Sequence, residues 1–479
     1  MSRLKNTTTN LNLLTNTKAI NARKGIVIPF VIVFGSVLML ILTSLLGYVS
    51  YRYQQSVHLA AKANALQAAE AGLNYYYWYV LHTLEGLSSA QMEAYWNETP
   101  LGIPYHDGEI KNQSGAVIGG YRISVTRPER GSTIIMTEVT GWDSKHPAVK
   151  RTVKVRLRKP SWSEYCVIAN DVMRFGTGTE TWGPIHSNNG IHFDGVAHNL
   201  VSSYITDTYW DPDYKTYKPG VWTALPDESQ VFLAGKQYPA SYKDFNSVSV
   251  DFGVMKDYSQ PSQGGLYFPA LSSSYCGYHL RLRTDGTIRV SRISSCGSTT
   301  HRIVNETSST TYSLPANGLI FFHENVWIDG AINNVHLTVA AADPDSGVET
   351  NIFINEDIVY TNHDGRDILG LIAQNNVDIG LYSDNTLEID AALVAQIGRV
   401  GRDYYTWSNS STYYIRNTIS VYGAIATNRR YGFAWVCGSV HCSGYRNRYI
   451  IYDNNLLYTP PPFFPTGTHY SIDLWEEIQ

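Results

Sequence analysis

Three histidines, His186, His192 and His198, recur at intervals of six residues. In an extended strand this even spacing would place all three on one face. A transition metal site would use such a cluster of imidazoles. The turn-forming residues Asn188-Asn189-Gly190 and Asp194-Gly195 interrupt the segment, however. The pattern therefore favours separate polar side chains at turns and strand edges over a metal site.

Several aspartates could take part in carbohydrate cleavage, which needs clustered carboxylates beside a basic group. Each of them lies in or beside a turn, on a separate run and without a basic partner in register, so the pattern favours turn formation. They are Asp194, Asp329, Asp357, Asp378 and Asp390. The chain also has no nucleophile elbow, phosphate loop or HExxH motif. We therefore expect no enzymatic activity.

An acidic loop, AADPDSGVET at 341–350, contains Asp343, Asp345 and Glu349. Oxygen-rich loops of this kind can hold calcium. The spacing differs from that of known calcium loops, so the sequence predicts no cofactor and leaves calcium as the one open alternative.

The chain has five cysteines, which is few for a disulfide scaffold. In an oxidising compartment, Cys276 with Cys296 and Cys437 with Cys442 are candidate local pairs, which would leave Cys166 buried and free. The alternative is that all five are buried thiols. Zinc is not expected, because no second close cysteine pair accompanies Cys437 and Cys442.

A long apolar segment must position everything that follows it. Residues 25–51 contain no charged side chain, and about 20 helical residues suffice to cross a bilayer. All five charged residues before it are basic, so the positive-inside rule predicts a cytoplasmic N-terminus and an external C-terminal part. The remaining 32 basic residues face 41 acidic ones, a net charge of −9, which argues against nucleic acid as a partner.

The apolar segment continues into an Ala- and Leu-rich stretch without proline, and together they predict one helix over 26–85. Pro29, Gly35 and Gly47 are its expected soft points. Residues at alternating steps of four and three form a predicted apolar stripe: Leu59, Ala63, Leu66, Glu70, Leu73, Tyr77, Val80 and Leu84. For Glu70 the spacing favours an acid at the edge of the stripe, and the alternative is a buried acid paired with another chain or with the head domain.

The basic leader, residues 1–25, ends in Lys24-Gly25 before the apolar helix and thus resembles a class III, or prepilin-type, signal. The segments GIVIPF and AAEAGL resemble those of PilX-type minor pilins. This resemblance implies that a prepilin peptidase cuts between Gly25 and Ile26 and that the helix stays on the mature protein. Phe30 stands where major pilins usually carry glutamate, which favours a minor subunit. The alternative for Lys24-Gly25 is an ordinary signal anchor.

Residues 86–160 predict a compact pilin-like unit. Three alternating runs, at 121–127, 132–140 and 148–158, are separated by turn residues and predict an antiparallel meander. The last run carries Lys150, Lys154, Arg156 and Arg158, which we interpret as a solvated basic face.

Short β runs separated by Asn, Asp and Gly follow from residue 161, with a spacing of about 20 residues beyond Val326. They predict a solenoid, most simply a right-handed parallel β-helix, over 161–200 and 316–479. Residues 201–315 interrupt the pattern and predict an inserted subdomain with one hairpin at 278–292. The fold class is thus α+β and mainly β: a long helix, a meander head and a β-helix-like solenoid.

The runs GPIHSN and GLIAQNNVDI and the ending YDNNLLYTPPPFFPTG resemble the domain of unknown function that often follows a PilX-type N-terminus. The resemblance implies a minor subunit of a type IV pilus, inserted in the inner membrane and displayed at the pilus or cell surface. Its partners would be membrane lipid, prepilin peptidase and other pilins. Six aromatic residues of the insertion would suit a surface glycan or protein ligand, or else pack inside it: Tyr204, Tyr209, Trp210, Tyr214, Tyr217 and Trp222.

Two other functions use the same N-terminal helix. A pseudopilin of a type II secretion system would end a short periplasmic piston. A membrane-anchored, glycan-active β-helix would instead be an enzyme, which the scattered aspartates do not favour.

Overall fold

The computed structural model describes residues 27–84, 94–96, 107–126, 128, 134–245, 251–346, 348–437, 440–467 and 470–478. The leader and the processing residues Lys24, Gly25 and Ile26 lie outside these ranges. The described chain is mostly β, with a long apolar helix at its N-terminal end and large sheets.

Helix α1 spans Val27–Thr83 without interruption, in 57 residues. At 1.5 Å per residue it is about 86 Å long. Pro29 lies in the first described turn, where a missing backbone N–H costs the helix little. The helix also continues through Gly35 and Gly47, the other two expected soft points.

A five-stranded antiparallel sheet, the meander, packs against the C-terminal half of α1 in the order β1-β2-β3-β4-β33. Its strands are β1 (Asp107–Lys111), β2 (Val117–Thr126), β3 (Ile134–Asp143), β4 (Lys150–Arg158) and β33 (Ser471–Ile478). The alternating runs correctly indicated β2, β3 and β4. The prediction that residues 316–479 all belong to the solenoid is wrong for β33, which pairs with β4 from more than 300 residues away.

The pairing with β33 also corrects the interpretation of the basic face of β4. Lys154 lies 3.7 Å from Glu476, and Arg156 and Arg158 both contact Asp473. Opposite charges on neighbouring strands stabilise their pairing. The acidic C-terminal strand thus neutralises most of a face that the sequence indicated as solvated.

In the chain, the remaining strands follow β4 and precede β33. Most of them join one 23-stranded sheet. The first group is β5 (Val167–Ala169), β6 (Met173–Phe175), β7 (Thr179–Trp182), β8 (Ile185–Ser187), β9 (Ile191–Phe193), β10 (Val196–Ala197), β11 (Val201–Ser203), β12 (Thr208–Asp211), β13 (Thr216–Pro219), β14 (Val221–Trp222) and β15 (Lys236–Gln237). A short helix, α2 (Phe252–Tyr258), then precedes β16 (Leu266–Phe268), β17 (Gly277–Leu282), β18 (Thr287–Cys296), β19 (Ile303–Glu306) and β20 (Thr310–Ser313).

The last group of strands runs from residue 319 to residue 452. It consists of β21 (Leu319–Phe322), β22 (Val326–Ile332), β23 (His336–Ala341), β24 (Ile352–Ile354), β25 (Ile358–Tyr360), β26 (Ile368–Ala373), β27 (Val377–Ile379), β28 (Thr386–Ala395), β29 (Val400–Arg402), β30 (Ile415–Thr427), β31 (Ala434–Cys437) and β32 (Val440–Tyr452).

Parallel pairs connect these groups into a ladder whose order differs from the chain order. The ladder runs β16-β21-β23-β26-β28-β30-β5-β8-β11-β15. The late strand β30 therefore pairs with the early strand β5. One continuous buried apolar cluster runs from Trp162 to Phe464 through this whole body.

The segment 201–315, expected to form a separate insertion, contributes strands to this same ladder. Both terminal strands of the ladder, β15 and β16, come from it. The hairpin predicted at 278–292 is present as β17 and β18. Strands of two or three residues are too short to show alternation, which explains why the sequence did not indicate them.

Candidate functional site

The N-terminal half of α1 exposes an apolar surface on every side. Its large apolar side chains from Val27 to Val49 are 49–74% exposed. The most apolar part of the helix has a mean hydropathy of 2.5, and the helix is long and apolar enough to cross a membrane. An apolar surface of this extent needs lipid or other helices around it.

The C-terminal half of α1 lies on the meander through small residues. Ala61, Ala65, Ala69 and Gly72 are buried there against β2, β3 and β4. On the sheet side, a Cβ added to Gly141 would lie 2.3 Å from the carbonyl oxygen of Ala65. The helix backbone and the sheet backbone therefore approach more closely than larger side chains would allow.

The face of α1 that is buried against the sheet differs from the predicted apolar stripe. Leu73, Val80 and Leu84 are buried as expected, but Leu59 and Ala63 are exposed. Glu70 is also exposed, which agrees with its interpretation as a surface acid. The buried line runs instead through the alanines, and the segment AKANALQAAEAG was the sequence signal for it. Small residues rather than large ones mark the face of a helix that packs closely on a sheet.

An aromatic surface remains on the solvent side of the same half of the helix. Trp78 is 55% exposed, its ring lies 4.6 Å from that of His82, and Tyr75 lies beside it at 6.3 Å. Phe30, on the apolar half, is exposed too. The helix thus carries outward-facing large side chains both within and after the membrane-length segment.

The three histidines considered for a metal site lie on separate segments, two of them on strands β8 and β9 and the third just after β10. His186, on β8, contacts the hydroxyl of Ser202, and burial lowers its pKa to about 4. His192, on β9, stacks on Trp222 at 3.9 Å. His198, after β10, stacks on Trp182 instead. The turns between them separate the three side chains, as the sequence indicated.

Three of the five aspartates considered for catalysis accept backbone hydrogen bonds from a neighbouring segment. Asp194 accepts from the N–H of Ala224, Asp357 from that of Glu388, and Asp390 from that of Tyr360. Each contact joins two segments that are 30 or 31 residues apart in the chain. Asp194 and Asp357 lie between strands, whereas Asp390 lies inside β28, so the expectation of a turn position is wrong for Asp390. All three contacts fit a structural role.

Asp329 differs from these three aspartates, since it joins a charged cluster. The imidazole of His279 lies between two carboxylates, with Nε2 2.5 Å from Asp329 and Nδ1 2.7 Å from Glu306. Burial lowers the pKa of His279, but the two carboxylates outweigh this effect and hold the pKa above its usual value. Arg281 also donates to Asp329, at 2.9 Å. Both ring nitrogens are thus engaged by carboxylates.

The loop for which calcium was left as the alternative brings Asp343 and Asp345 close to His323, with candidate ligand atoms within 4.8 Å of one another. The Lys256 ammonium group contacts Asp345, however, and Asp343 accepts the backbone N–H of Ser346. The residues therefore do not fit calcium, because a lysine already supplies the positive charge and the third member is a nitrogen ligand.

The cysteines form the two local pairs considered from the sequence. Cys276 is joined to Cys296 and Cys437 to Cys442, while Cys166 is buried and free. The first disulfide joins the start of β17 to β18, and the second joins β31 to β32.

The six aromatic residues of the predicted insertion divide into two sets. Tyr209 and Trp222 are buried, and the indole N–H of Trp222 donates to the hydroxyl of Tyr209 at 3.0 Å. The other four are exposed or lie at the surface: Tyr204, Trp210, Tyr214 and Tyr217. This segment therefore contains both buried and exposed aromatic side chains.

Comparisons with known proteins add little to this geometry. No family model matches the chain, and no curated protein matches it. Among solved structures, the chain is similar to the competence-associated pilin ComZ from Thermus thermophilus, with 10% sequence identity over 87% of this chain and 97% of that chain. The TM-score is 0.29, too low to support an inference about fold or function.

Proposed function

We propose that this chain is a minor pilin-like subunit of a type IV pilus, which assembles with other pilins through α1. The observation that carries the proposal is the division of one continuous helix into two halves. The first half is apolar and exposed, and the second is fixed to an antiparallel sheet. Such a helix can exchange lipid for neighbouring helices while its head stays folded.

The proposed location follows from the same helix. The basic leader favours insertion in the inner membrane with the C-terminal part outside, and cleavage after Gly25 would leave a mature chain starting at Ile26. In the filament, Phe30 would contact other helices at the position where major pilins carry glutamate.

We further propose that residues 161–465 form a right-handed parallel β-helix that the subunit displays. Support comes from parallel partners that recur after 19 to 32 residues, as from Ile320 to Val339, Leu371, Leu393 and Ile425. Parallel strands joined by a crossover are almost always right-handed. The displayed body would serve adhesion or filament priming, without enzymatic activity.

Photo-crosslinking from the apolar half of α1 tests the proposal. A crosslinking residue at Leu38 is expected to capture other apolar helices in filaments sheared from cells. The same residue at Leu233, exposed on the displayed body, is the control and should not capture them. Crosslinks from Leu38 found only to lipid in the membrane fraction would contradict assembly, and capture confined to a periplasmic complex would favour the pseudopilin alternative.

A further inference from the structure

A cleft of about 410 Å³ lies where the early strand β7 pairs with the late strand β32. This arginine cleft is formed by the β6–β7 segment, the turn between β12 and β13, the residue before β29, the segment leading into β31, and β32. Seven charged residues line it: Asp171, Arg174, Asp213, Arg399, Arg429, Arg430 and Arg448. Its volume is in the range of small-molecule sites.

Positive charge exceeds negative charge in this cleft. Five arginines face two aspartates, although the chain as a whole has a net charge of −4. The carboxylate of Asp213 forms ion pairs with two of these arginines, at 2.5 Å from Arg430 and 3.2 Å from Arg174. Asp403, behind the cleft, pairs with Arg399 at 2.5 Å.

Two guanidinium groups of the cleft have no carboxylate partner within the described residues. Arg448 is buried, and its guanidinium donates to five neutral oxygens: the carbonyl oxygens of Tyr445, Arg446, Gly176 and Thr177 and the hydroxyl of Thr179. Arg429 is exposed and forms no ion pair with any carboxylate in the described part of the chain. Arg448 therefore adds buried positive charge beside the cleft, and the exposed Arg429 can pair with an anionic ligand.

An ordered aromatic ring borders the same cleft. The indole N–H of Trp435 donates to the carbonyl oxygen of Arg402 at 2.9 Å, which fixes the ring, yet 37% of the residue stays exposed. The Cys437–Cys442 disulfide closes the hairpin that carries it. A rigid, half-exposed tryptophan beside arginines offers an apolar surface for a sugar ring and donors for its acidic substituents.

We propose that the arginine cleft binds an acidic oligosaccharide, a glycan that carries carboxylate or sulfate groups. Arg429, Arg430 and Arg174 would pair with the anionic groups, while Trp435 packs against a sugar ring. This inference gives the displayed body a ligand class. Binding by the purified chain does not require filament assembly, so each proposal can fail without the other.

Calorimetric titration of the full-length chain in detergent micelles tests the site. The probes are a heparin-derived hexasaccharide, a hexagalacturonate, neutral maltohexaose and inorganic sulfate. We expect one or both acidic hexasaccharides to bind, more weakly as salt is raised. Maltohexaose should not bind, and sulfate should bind far more weakly than the hexasaccharides.

Two substitutions locate the binding. Arg429→Gln removes an exposed charge and should weaken binding of the acidic hexasaccharide about tenfold. Trp435→Ala should weaken it without changing the response to sulfate. Arg289→Gln, at an exposed arginine on β18 outside the cleft, is the matched control and should bind like the original chain.

Three results would overturn the proposal. The first is no binding of either acidic hexasaccharide, and the second is unchanged binding by both Arg429→Gln and Trp435→Ala. The third is sulfate binding as tight as hexasaccharide binding, which would make the cleft a simple anion site.

Discussion

Arg156 on β4 donates two hydrogen bonds, of 2.9 and 2.7 Å, to the carboxylate of Asp473 on β33, although 316 residues separate them in the chain. Both side chains are largely buried. The pair joins the last strand to the meander on which α1 rests, so the C-terminal end of the chain helps to hold the head together. The chain leaves the meander after β4, builds the ladder and returns.

Asp473→Asn is expected to destabilise the protein by about 3 kcal/mol, because it leaves the buried Arg156 guanidinium without its carboxylate. Urea unfolding followed by circular dichroism measures this change. The control is Glu476→Gln on the same strand, whose carboxylate lies 3.7 Å from Lys154 at the surface. That loss should stay below about 1 kcal/mol. Equal losses in the two variants would show that burial of the pair is unimportant.

Gly141→Ala tests the close approach of α1 to the sheet. The added Cβ would lie 2.3 Å from two helix backbone atoms, the Ala65 oxygen and the Ala69 nitrogen, so the helix must move. We expect a loss of about 3 kcal/mol, at the upper end for overpacking.

The matched control for Gly141 is Gly253→Ala in α2. There the new Cβ would meet only a side-chain oxygen of Asp251, at 3.3 Å. Alanine favours a helix by up to about 1 kcal/mol over glycine, so this variant should be unchanged or more stable. A Gly141→Ala protein with the original unfolding midpoint would contradict the packing described for α1.

Asp378 predicts a pH-dependent stability. Burial, and next the charge of Asp403, raise the pKa of Asp378 to about 6 from its usual 3.8. The folded state therefore holds this proton more tightly than the unfolded state does, and the group's contribution to stability falls as pH rises from about 4 to about 6.

Asp378→Asn should remove that dependence. At pH 7.5 the variant should be more stable than the original protein by up to about 3 kcal/mol, since each pKa unit corresponds to about 1.4 kcal/mol. At pH 4 the two proteins should unfold alike. Thermal unfolding at both pH values provides the comparison, and an equal difference at the two values would refute the assignment to Asp378.

Substitutions at Trp78 and Tyr76 distinguish a loss of filament assembly from a loss of stability. Trp78 faces solvent, whereas Tyr76, two residues earlier, is 1% exposed in the core beneath the helix. Trp78→Ala should leave the unfolding midpoint unchanged but reduce recovery of the chain in sheared filaments. Tyr76→Ala should lower stability by about 3–5 kcal/mol. Normal filament recovery for Trp78→Ala would remove this aromatic surface from the assembly interface.

The sequence predicted those parts of the fold whose hydrophobic pattern extends over enough residues to be recognised. The uncharged segment predicted α1, and alternation over about ten residues predicted β2 to β4. Strand β33 was not predicted, because its partner strand lies far away in the chain. A short charged run such as SIDLWEEI also shows no apolar alternation. The pairing of β30 with β5 could not be predicted from the sequence either, since it joins a late strand to an early one.

The candidate surfaces were predictable to different degrees. The apolar half of α1 follows from composition alone. The arginine cleft does not, because Arg174, Arg399 and Arg448 come from three separate strand regions. Only the Arg429-Arg430 pair beside an aromatic segment, NRRYGFAW, marked the place in the sequence.

The most direct test of the central proposal is the mass of the mature chain in filaments sheared from cells. We expect intact-mass and N-terminal peptide spectrometry to find this chain in the filament fraction with Ile26 as its first residue. A chain that still begins at Met1 and stays with the membrane would contradict the proposal and leave α1 a simple anchor.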